Sequence, residues 1–460
     1  MDAFQRELLK RSPLASCVLE ISDYLFDQAL LDSIWERYRG RCYDDVLRFE
    51  DLLHLMRDAL IRHKGSGHAL FLELERKEQE PVDESNFYRK LSHLPVELSR
   101  GLLRQCTCRL TDLLPSGTSC VELPACFGGF RLVAGDGKKI KNATKRLKPT
   151  RGYCGKLIGA KALVAMDLRS GMALAMSDSL DGLANDVPLV PDLMEQLRQV
   201  VAEPLLSIWD RQFDDMRTLG HLCQRPGDAY VVRMTAKYRF EPESTVETHD
   251  RQGRLVRDEI GRLIKGQGRN QVVMRVRRVT LLRPGEDDVV VLTNLLERGR
   301  YSVFDLLELY RHRWGIEQMF QQVTETFSLE HLIGSGPQAV LFQFAYCLLL
   351  YNLIQLVKTY VAQDGSVLAS AVSTFYLFND VRRELEAWAY HGGTWTRQKR
   401  TAEQMRGRLE QLLSGSWDPI AYTKASDKHP RPKRPPPLPL HGGHSSVQRL
   451  LEGRARVISA

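Results

Sequence analysis

The 460-residue sequence predicts a mixed α/β protein with helical flanks. Three observations carry this reading. Short apolar runs parted by turn residues fill Phe130 to Met234, β-branched alternation fills 238–297, and helical periodicity lies on either side.

Residues 1–120 read as a helical domain. Apolar residues recur at helical spacing in Val46–Leu60 and in Phe87–Leu103, with Ser85 as a candidate cap. Pro95 parts SNFYRKLSHLPVELSRGLLRQ into two short helical patterns. That spacing suits a helix-turn-helix DNA reader and equally any small helical hairpin. From Phe130, FRLVAGD, AKALVAMDL and GMALAMSD read as three strands, the last two a hairpin turning on Arg169, Ser170 and Gly171. Val187–Val201 and Arg211–Leu222 read as helices, and Leu205–Trp209 and Ala229–Met234 as strands. A meander followed by alternation with helices is the order of a mixed sheet.

The core is thus placed at 125–237 and 298–335, interrupted by a β-rich insertion at 238–297. A strong helical pattern runs from Ser302 through Phe327, and 336–420 reads as helical. Within it, Ala339–Val357 is the most apolar stretch. Gln343, Asn352 and Gln355 interrupt it, which favours a buried helix over a membrane span. Residues 421–460 are basic and Pro-rich and read as extended or disordered.

The formal net charge is +8, with 43% hydrophobic and 27% charged residues. That composition fits a globular protein with a real core. A basic excess suits a polyanionic partner, nucleic acid first, although a ligand-free basic surface has the same charge. Nine scattered cysteines lack the paired spacing of a structural zinc site and read as thiols in a reducing cytosol. The start, MDAFQRELLKRS, has no apolar h-region and reads as lacking a signal peptide.

Three acids stand where a site for two metal ions wants them. Asp136, in VAGDGKK, is read at the end of an apolar strand, between glycines that would let a phosphate backbone approach. Asp210 ends the strand in LLSIWDRQF, at the rim of a sheet. Glu317 lies in YRHRWGIEQMF. Tyr310, Arg313 and Glu317 fall at i, i+3 and i+7, one face of a helix. The same spacing also fits a solvated face with an Arg313–Glu317 ion pair. After the first acid, Lys138, Lys139, Lys141, Lys145, Arg146, Lys148 and Arg151 form a dense basic run fit to hold phosphates, or a solvated loop. Carboxylate oxygens suit Mg²⁺ or Mn²⁺, and two such ions can support phosphodiester chemistry.

These motifs together resemble the DDE transposases of bacterial insertion sequences, specifically the "IS four" group. Those proteins carry a DG-type first acid and a second acid followed by Arg and an aromatic, here WDRQF with Arg211. A β-rich insertion comes next, then a helix bearing Tyr, Arg and Glu at the spacing of Tyr310, Arg313 and Glu317, here with Trp314 after the arginine. The resemblance covers about residues 130–360. It implies an RNase H-like core and Asp136, Asp210 and Glu317 as catalytic ligands of two Mg²⁺ or Mn²⁺ ions. It further implies double-stranded DNA as partner (element ends and target), a homodimer on DNA and a place in the cytoplasm on the bacterial nucleoid; the helical N-terminal domain is expected to bind DNA from its own helix-turn-helix-like pattern. The expected reaction is cleavage at the element's end, then strand transfer by the freed 3′-OH. One position departs: the family's lysine seven residues after the glutamate is Thr324 here. That leaves open an inactive transposase-derived DNA-binding protein; separately, another two-metal nuclease on a similar sheet remains an alternative. The resemblance also suggests a hairpin intermediate. The insertion has no tryptophan to stack on a displaced base, and Tyr238 or Phe240 are the candidate substitutes.

Overall fold

The computed structural model describes residues 7–8, 10–78, 82–235, 238–266, 271–363, 367–391, 395, 397–413 and 443–454. Its centre is a meander of β1 (Arg131–Lys141), β2 (Lys156–Asp167) and β3 (Ala173–Ser179), with β4 (Leu205–Trp209) parallel beside β1 and β5 (Ala229–Arg233) parallel beside β4. The spatial order β3-β2-β1-β4-β5 is the RNase H-like arrangement expected. β2 is buried from its second residue to its last, as a continuous apolar run must be when both faces of a sheet are covered.

The β-rich insertion is present and does not stand apart. β9 (Val289–Thr293) pairs antiparallel with β5, and β8 (Val272–Leu281), β7 (Leu255–Lys265) and β6 (Arg239–His249) follow outward in the same sheet. The outermost strand, β6, is mostly exposed and rich in glutamate, with Pro242 inside it, features that discourage further strand pairing.

Among the described residues, six full helices precede the sheet: α1 (Pro13–Leu25), α2 (Gln28–Tyr38), α3 (Phe49–Ile61), α4 (Gly67–Arg76), α5 (Glu84–His93) and α6 (Val96–Thr111). Asp83, not Ser85, caps α5. Its carboxylate accepts the Asn86 N–H at 3.0 Å, and Ser85 hydrogen-bonds to the same group. Between β3 and β5, the expected helices are shorter and tighter. A 3₁₀ turn at Val187–Leu189 leads into α7 (Val190–Arg198), and another at Arg211–Phe213 precedes α8 (Met216–Leu222).

The pattern from Ser302 to Phe327 is two helices, α9 (Val303–Arg311) and α10 (Trp314–Glu325). Between them the N–H groups of His312, Arg313, Gly315 and Ile316 bond three residues back, so the turn is wound tighter than an α-helix. Gly315 sits where an added Cβ would lie 3.0 Å from the Met166 methyl, so α10 packs closely on β2.

α11 (Pro337–Val361) runs through the core, followed by α12 (Thr374–Tyr390) and α13 (Ala402–Leu413). α11 is long and apolar enough to cross a membrane, yet its apolar window is wholly buried against other elements. Its polar residues serve as tethers. Asn352 accepts the Ala173 N–H and donates to Ala173 O and Thr107 Oγ1, each at 2.8 Å, joining β3 and α6 to the core. Gln343 satisfies Ile333 N–H and His331 O. Such buried amides are tolerable because their partners are complete.

Part of the segment read as disordered is structured. β10 (His444–Ser446) pairs parallel with the start of β2, and α14 (Val447–Leu451) follows with Val447 and Leu450 buried. The apolar pair Val447 and Leu450 explains the docking. The Pro-rich run before it, 414–442, lies outside the described residues.

A buried ion cluster ties the insertion to the approach of α9. Arg277, 1% exposed, grips Asp258 with two bonds of 2.8 and 2.9 Å and donates to Tyr301 O at 2.7 Å. Arg298 adds a bond of 3.0 Å to Asp258. Removing one partner of a buried pair strands the other charge. Arg277→Ala should therefore lower the unfolding free energy by about 3–5 kcal/mol in urea denaturation; a loss under about 1 kcal/mol would contradict this clamp.

Candidate active site

Asp136 lies inside β1 rather than at its end. β1 keeps pairing with β2 from Val133 to Lys141, but its parallel pairing with β4 stops at Gly135↔Trp209. Asp136 follows that pair within β1, and Asp210 is the first residue beyond the end of β4. Neighbouring strands run ~4.8 Å apart and side chains alternate in face, so the two acids leave one rim of the sheet side by side.

The glycines flanking Asp136 are used differently from the expectation. An added Cβ at Gly135 would stand 2.2 Å from the Trp209 ring, and one at Gly137 would stand 2.3 Å from Asp186. Both glycines therefore admit side chains of this chain rather than a phosphate backbone. Trp209 is fully buried and packs on Phe213 at 4.8 Å.

Beneath Gly137, Lys161 pairs with Asp186 at 2.8 Å and donates to Ala184 O at 2.7 Å, while Gln212 reaches Asp186 at 3.1 Å. Sequence reasoning missed this network. A signal was present: Lys161 interrupts an otherwise apolar strand and so requires a buried partner.

Glu317 enters from α10, in its first turn. Tyr310 belongs to α9, and Arg313 sits in the tight turn between the helices, so the three do not share one continuous helix face. They are still brought together. Arg313 bonds Glu317 at 2.6 Å, stands 3.9 Å from Asp136, and lies 6.0 Å from the Tyr310 ring centroid. At 8% exposure, Arg313 is turned inward onto the acids.

The electrostatics report the same convergence. Burial pushes the Asp136 carboxyl up to about 6, and the charges of Glu317 and Asp210 add to this, against the Gly137 N–H and Arg313. The Gly137 N–H donates to Asp136 at 2.8 Å. Burial also raises the Tyr310 hydroxyl, with the charge of Asp210 assisting.

Among the described residues, no three His, Cys, Asp or Glu side chains are drawn tightly enough to form a ready metal cluster. The positive charge between Asp136 and Glu317 is the Arg313 guanidinium. The donor set nevertheless fits a hard divalent cation: three carboxylates with no thiolate or imidazole, and a carboxyl raised by burial and, after that, by its like-charged neighbours. Asp136, Asp210 and Glu317 are the residues that could hold it.

The basic run begins on β1 and continues into the loop beyond. Lys138 is half-buried and donates to Phe320 O at 3.4 Å, while burial and Lys141 push its ammonium down. Lys139, Lys141, Lys145, Arg146, Lys148 and Arg151 are exposed. Lys138, Lys139 and Lys141 line a cavity of about 460 Å³ that also touches Thr324. The Thr324 hydroxyl turns back onto Phe320 O at 2.7 Å. Arg211 is exposed beside Asp210, and Trp314 is 57% exposed. Tyr238 donates to Asp215 at 3.2 Å, and Phe240 carries the Arg278 guanidinium 4.0 Å from its ring centroid.

The pairing that sets Asp136 beside Asp210 depends on a missing side chain. Gly135→Ala should destabilise the chain by about 1–3 kcal/mol, because the buried indole has nowhere to go. Gly129→Ala, where nothing lies within 4 Å of the added carbon, is the control. Equal urea midpoints for the two variants would contradict this packing.

Residues 128–353 match the family model described as the transposase DDE domain. The putative transposase y4zB of Sinorhizobium fredii is 27% identical over 104 residues, which span 23% of this chain and 28% of that protein. The chain thus matches well under two thirds of that relative's length. A piggyBac transposase synaptic complex with hairpin DNA aligns at a TM-score of 0.42 and 13% identity, covering 88% of this chain and 85% of that one.

Proposed function

From the match of residues 128–353 to the transposase DDE domain model, we propose that this chain cuts DNA at the ends of an insertion sequence and joins the freed end to target DNA. The observation that carries the reading is the meeting of Asp136 and Asp210, by strand register, with Glu317, through Arg313. Strand register brings Asp136 towards Asp210, and Arg313 stands within reach of both Asp136 and Glu317, although the three come from distant parts of the chain.

In this reading Asp136, Asp210 and Glu317 hold divalent cations. The chemistry supplied by bound Mg²⁺ or Mn²⁺ is Lewis-acid stabilisation of charge on the attacking and leaving oxygens of a phosphodiester. The chain's own residues bind and orient the DNA. Lys138, Lys139 and Lys141 place positive charge along the strand that carries Asp136. Lys145, Arg146, Lys148 and Arg151 extend it outward, where backbone phosphates would displace counterions. Arg211 and Trp314, both exposed, flank the acids as further DNA contacts. Tyr310 lies against Arg313 as a hydrogen-bonding contact for a phosphate. Arg313 holds Asp136 and Glu317 in mutual reach and can turn one fork of its guanidinium to a phosphate. No side-chain nucleophile is needed, because water and then a 3′-OH attack.

A second reading, a DNA-binding protein without turnover, draws on Thr324, whose hydroxyl is engaged within its own helix. Cleavage of end-containing DNA in Mg²⁺ separates the two. Asp136→Ala, Asp210→Ala and Glu317→Ala should each reduce cleavage by at least about a thousandfold while leaving DNA binding within a few-fold. Near wild-type cutting by any one of them removes that residue from the set. Absence of cutting by the unaltered chain, with DNA still bound, favours the second reading.

A further inference from the structure

None of the residues placed around Asp136 lines a second cavity, of about 770 Å³, between α2, α6 and the start of α13. Four arginines line it: Arg37, Arg104, Arg109 and Arg400. Two have acids nearby. Arg109 lies 3.9 Å from Asp27, and Arg400 lies 3.3 Å from Glu20. Among the described residues, Arg37 and Arg104 are in no such ion pair, and Asp112 is the one acid on the wall.

The arrangement is built rather than incidental. Gly101 on α6 has no side chain, and an added Cβ would stand 2.5 Å from the Tyr38 ring, so Tyr38 packs directly against that helix. Tyr38 in turn holds the arginines. Its hydroxyl accepts from Arg104 at 2.5 Å, and Gln196 accepts from the same guanidinium. The guanidinium carbons of Arg37 and Arg104 stand 5.3 and 5.8 Å from the one Tyr38 ring centroid. Arg104 is only 4% exposed, so its charge is held almost out of water, hydrogen-bonded to neutral partners beside a like-charged neighbour, with Asp192 the acid whose charge reaches it. That costs free energy unless an anion arrives. Burial, with the charge of Arg37, outweighs what Tyr38 and Asp192 contribute and pushes the Arg104 pKa down. The N-terminus of α13 adds to the field. Thr401 and Ala402 line the cavity, and the Thr401 hydroxyl accepts the Gln404 N–H at 3.3 Å.

We propose that this cavity is a phosphate-binding site, distinct from the carboxylate site, taking a phosphate group of a DNA backbone or of a small phosphorylated ligand. Planar guanidinium forks match the oxygens of phosphate in pairs, and the higher charge of phosphate gains more here than a single carboxylate would. The site stands on its own geometry and does not depend on whether the chain cuts DNA.

The test uses the full chain, with inorganic pyrophosphate and a short fluorescein-labelled duplex as probes. Wild type, the Arg37→Ala/Arg109→Ala double variant and Asp136→Ala are titrated with each across a salt series. Arg37 is exposed and Arg109 half-buried, so the fold should survive; matching melting curves check this, and Arg37→Gln alone replaces the pair if it does not. The double variant should lose about tenfold or more in affinity for pyrophosphate, as expected for losing charge-assisted bonds. If the natural source is DNA, its duplex salt slope also falls by about 2. If only pyrophosphate binding falls, the source is a small phosphorylated ligand. Asp136→Ala should keep pyrophosphate binding whatever its cutting activity. Unchanged affinity of the folded arginine variants for both probes, or no binding of either by wild type, overturns the proposal.

Discussion

The contact between Gly135 and Trp209 is the constraint on which the rest of the structure depends. Because residue 135 has no side chain, the indole of β4 can lie against β1, and the two strands keep a parallel register up to that pair. The residue that follows each member of that pair is an aspartate. Two like charges are thereby forced to one rim of the sheet, and the α9–α10 turn brings Arg313 over Asp136 with Glu317 beyond it. Arg277 and Asp258 secure the segment that feeds α9, so the insertion helps position the helix pair although it carries none of the acids.

The placement costs stability. Asp136 is pushed up to about 6 by burial and by its neighbours' charge, which means the folded chain resists ionising it. A bound cation, as proposed, would relieve that opposition. Arg313 offsets part of it from within. The same logic holds at Tyr38, where Arg37 and Arg104 crowd one ring. One site gathers carboxylates around a single arginine and the other gathers four arginines, and the partner proposed for each follows from that difference.

Much of the fold was legible in the sequence. The apolar strands, the β-branched insertion and the buried character of α11 follow from periodicity and composition, which burial enforces. What was misread follows from tertiary packing. Asp136 looked like a strand end because the run after it is basic, yet β2 supplies a pairing partner as far as Lys141. The helix from Ser302 looked continuous because its apolar period continues, whereas Gly315 lets Met166 approach and the turn tightens. The glycines beside Asp136 were assigned to an incoming backbone, but indole and carboxylate side chains take that space. Lys161 and Asp186 went unnoticed because their partners are far apart in local context, although a lysine within an apolar strand pointed to one of them. Val447 and Leu450 are too short a pattern to stand out after a Pro-rich run.

The central claim is that Asp136, Asp210 and Glu317 act as one ligand set for divalent cations. Its most direct measurement is calorimetric titration of the full chain with Mn²⁺, beside Asp136→Asn, Asp210→Asn and Glu317→Gln variants that melt like wild type. The account predicts saturable binding by wild type and a loss of about tenfold or more in each variant, since every one removes a charged ligand. Binding that survives in all three variants, or that is absent from wild type with and without DNA, contradicts it.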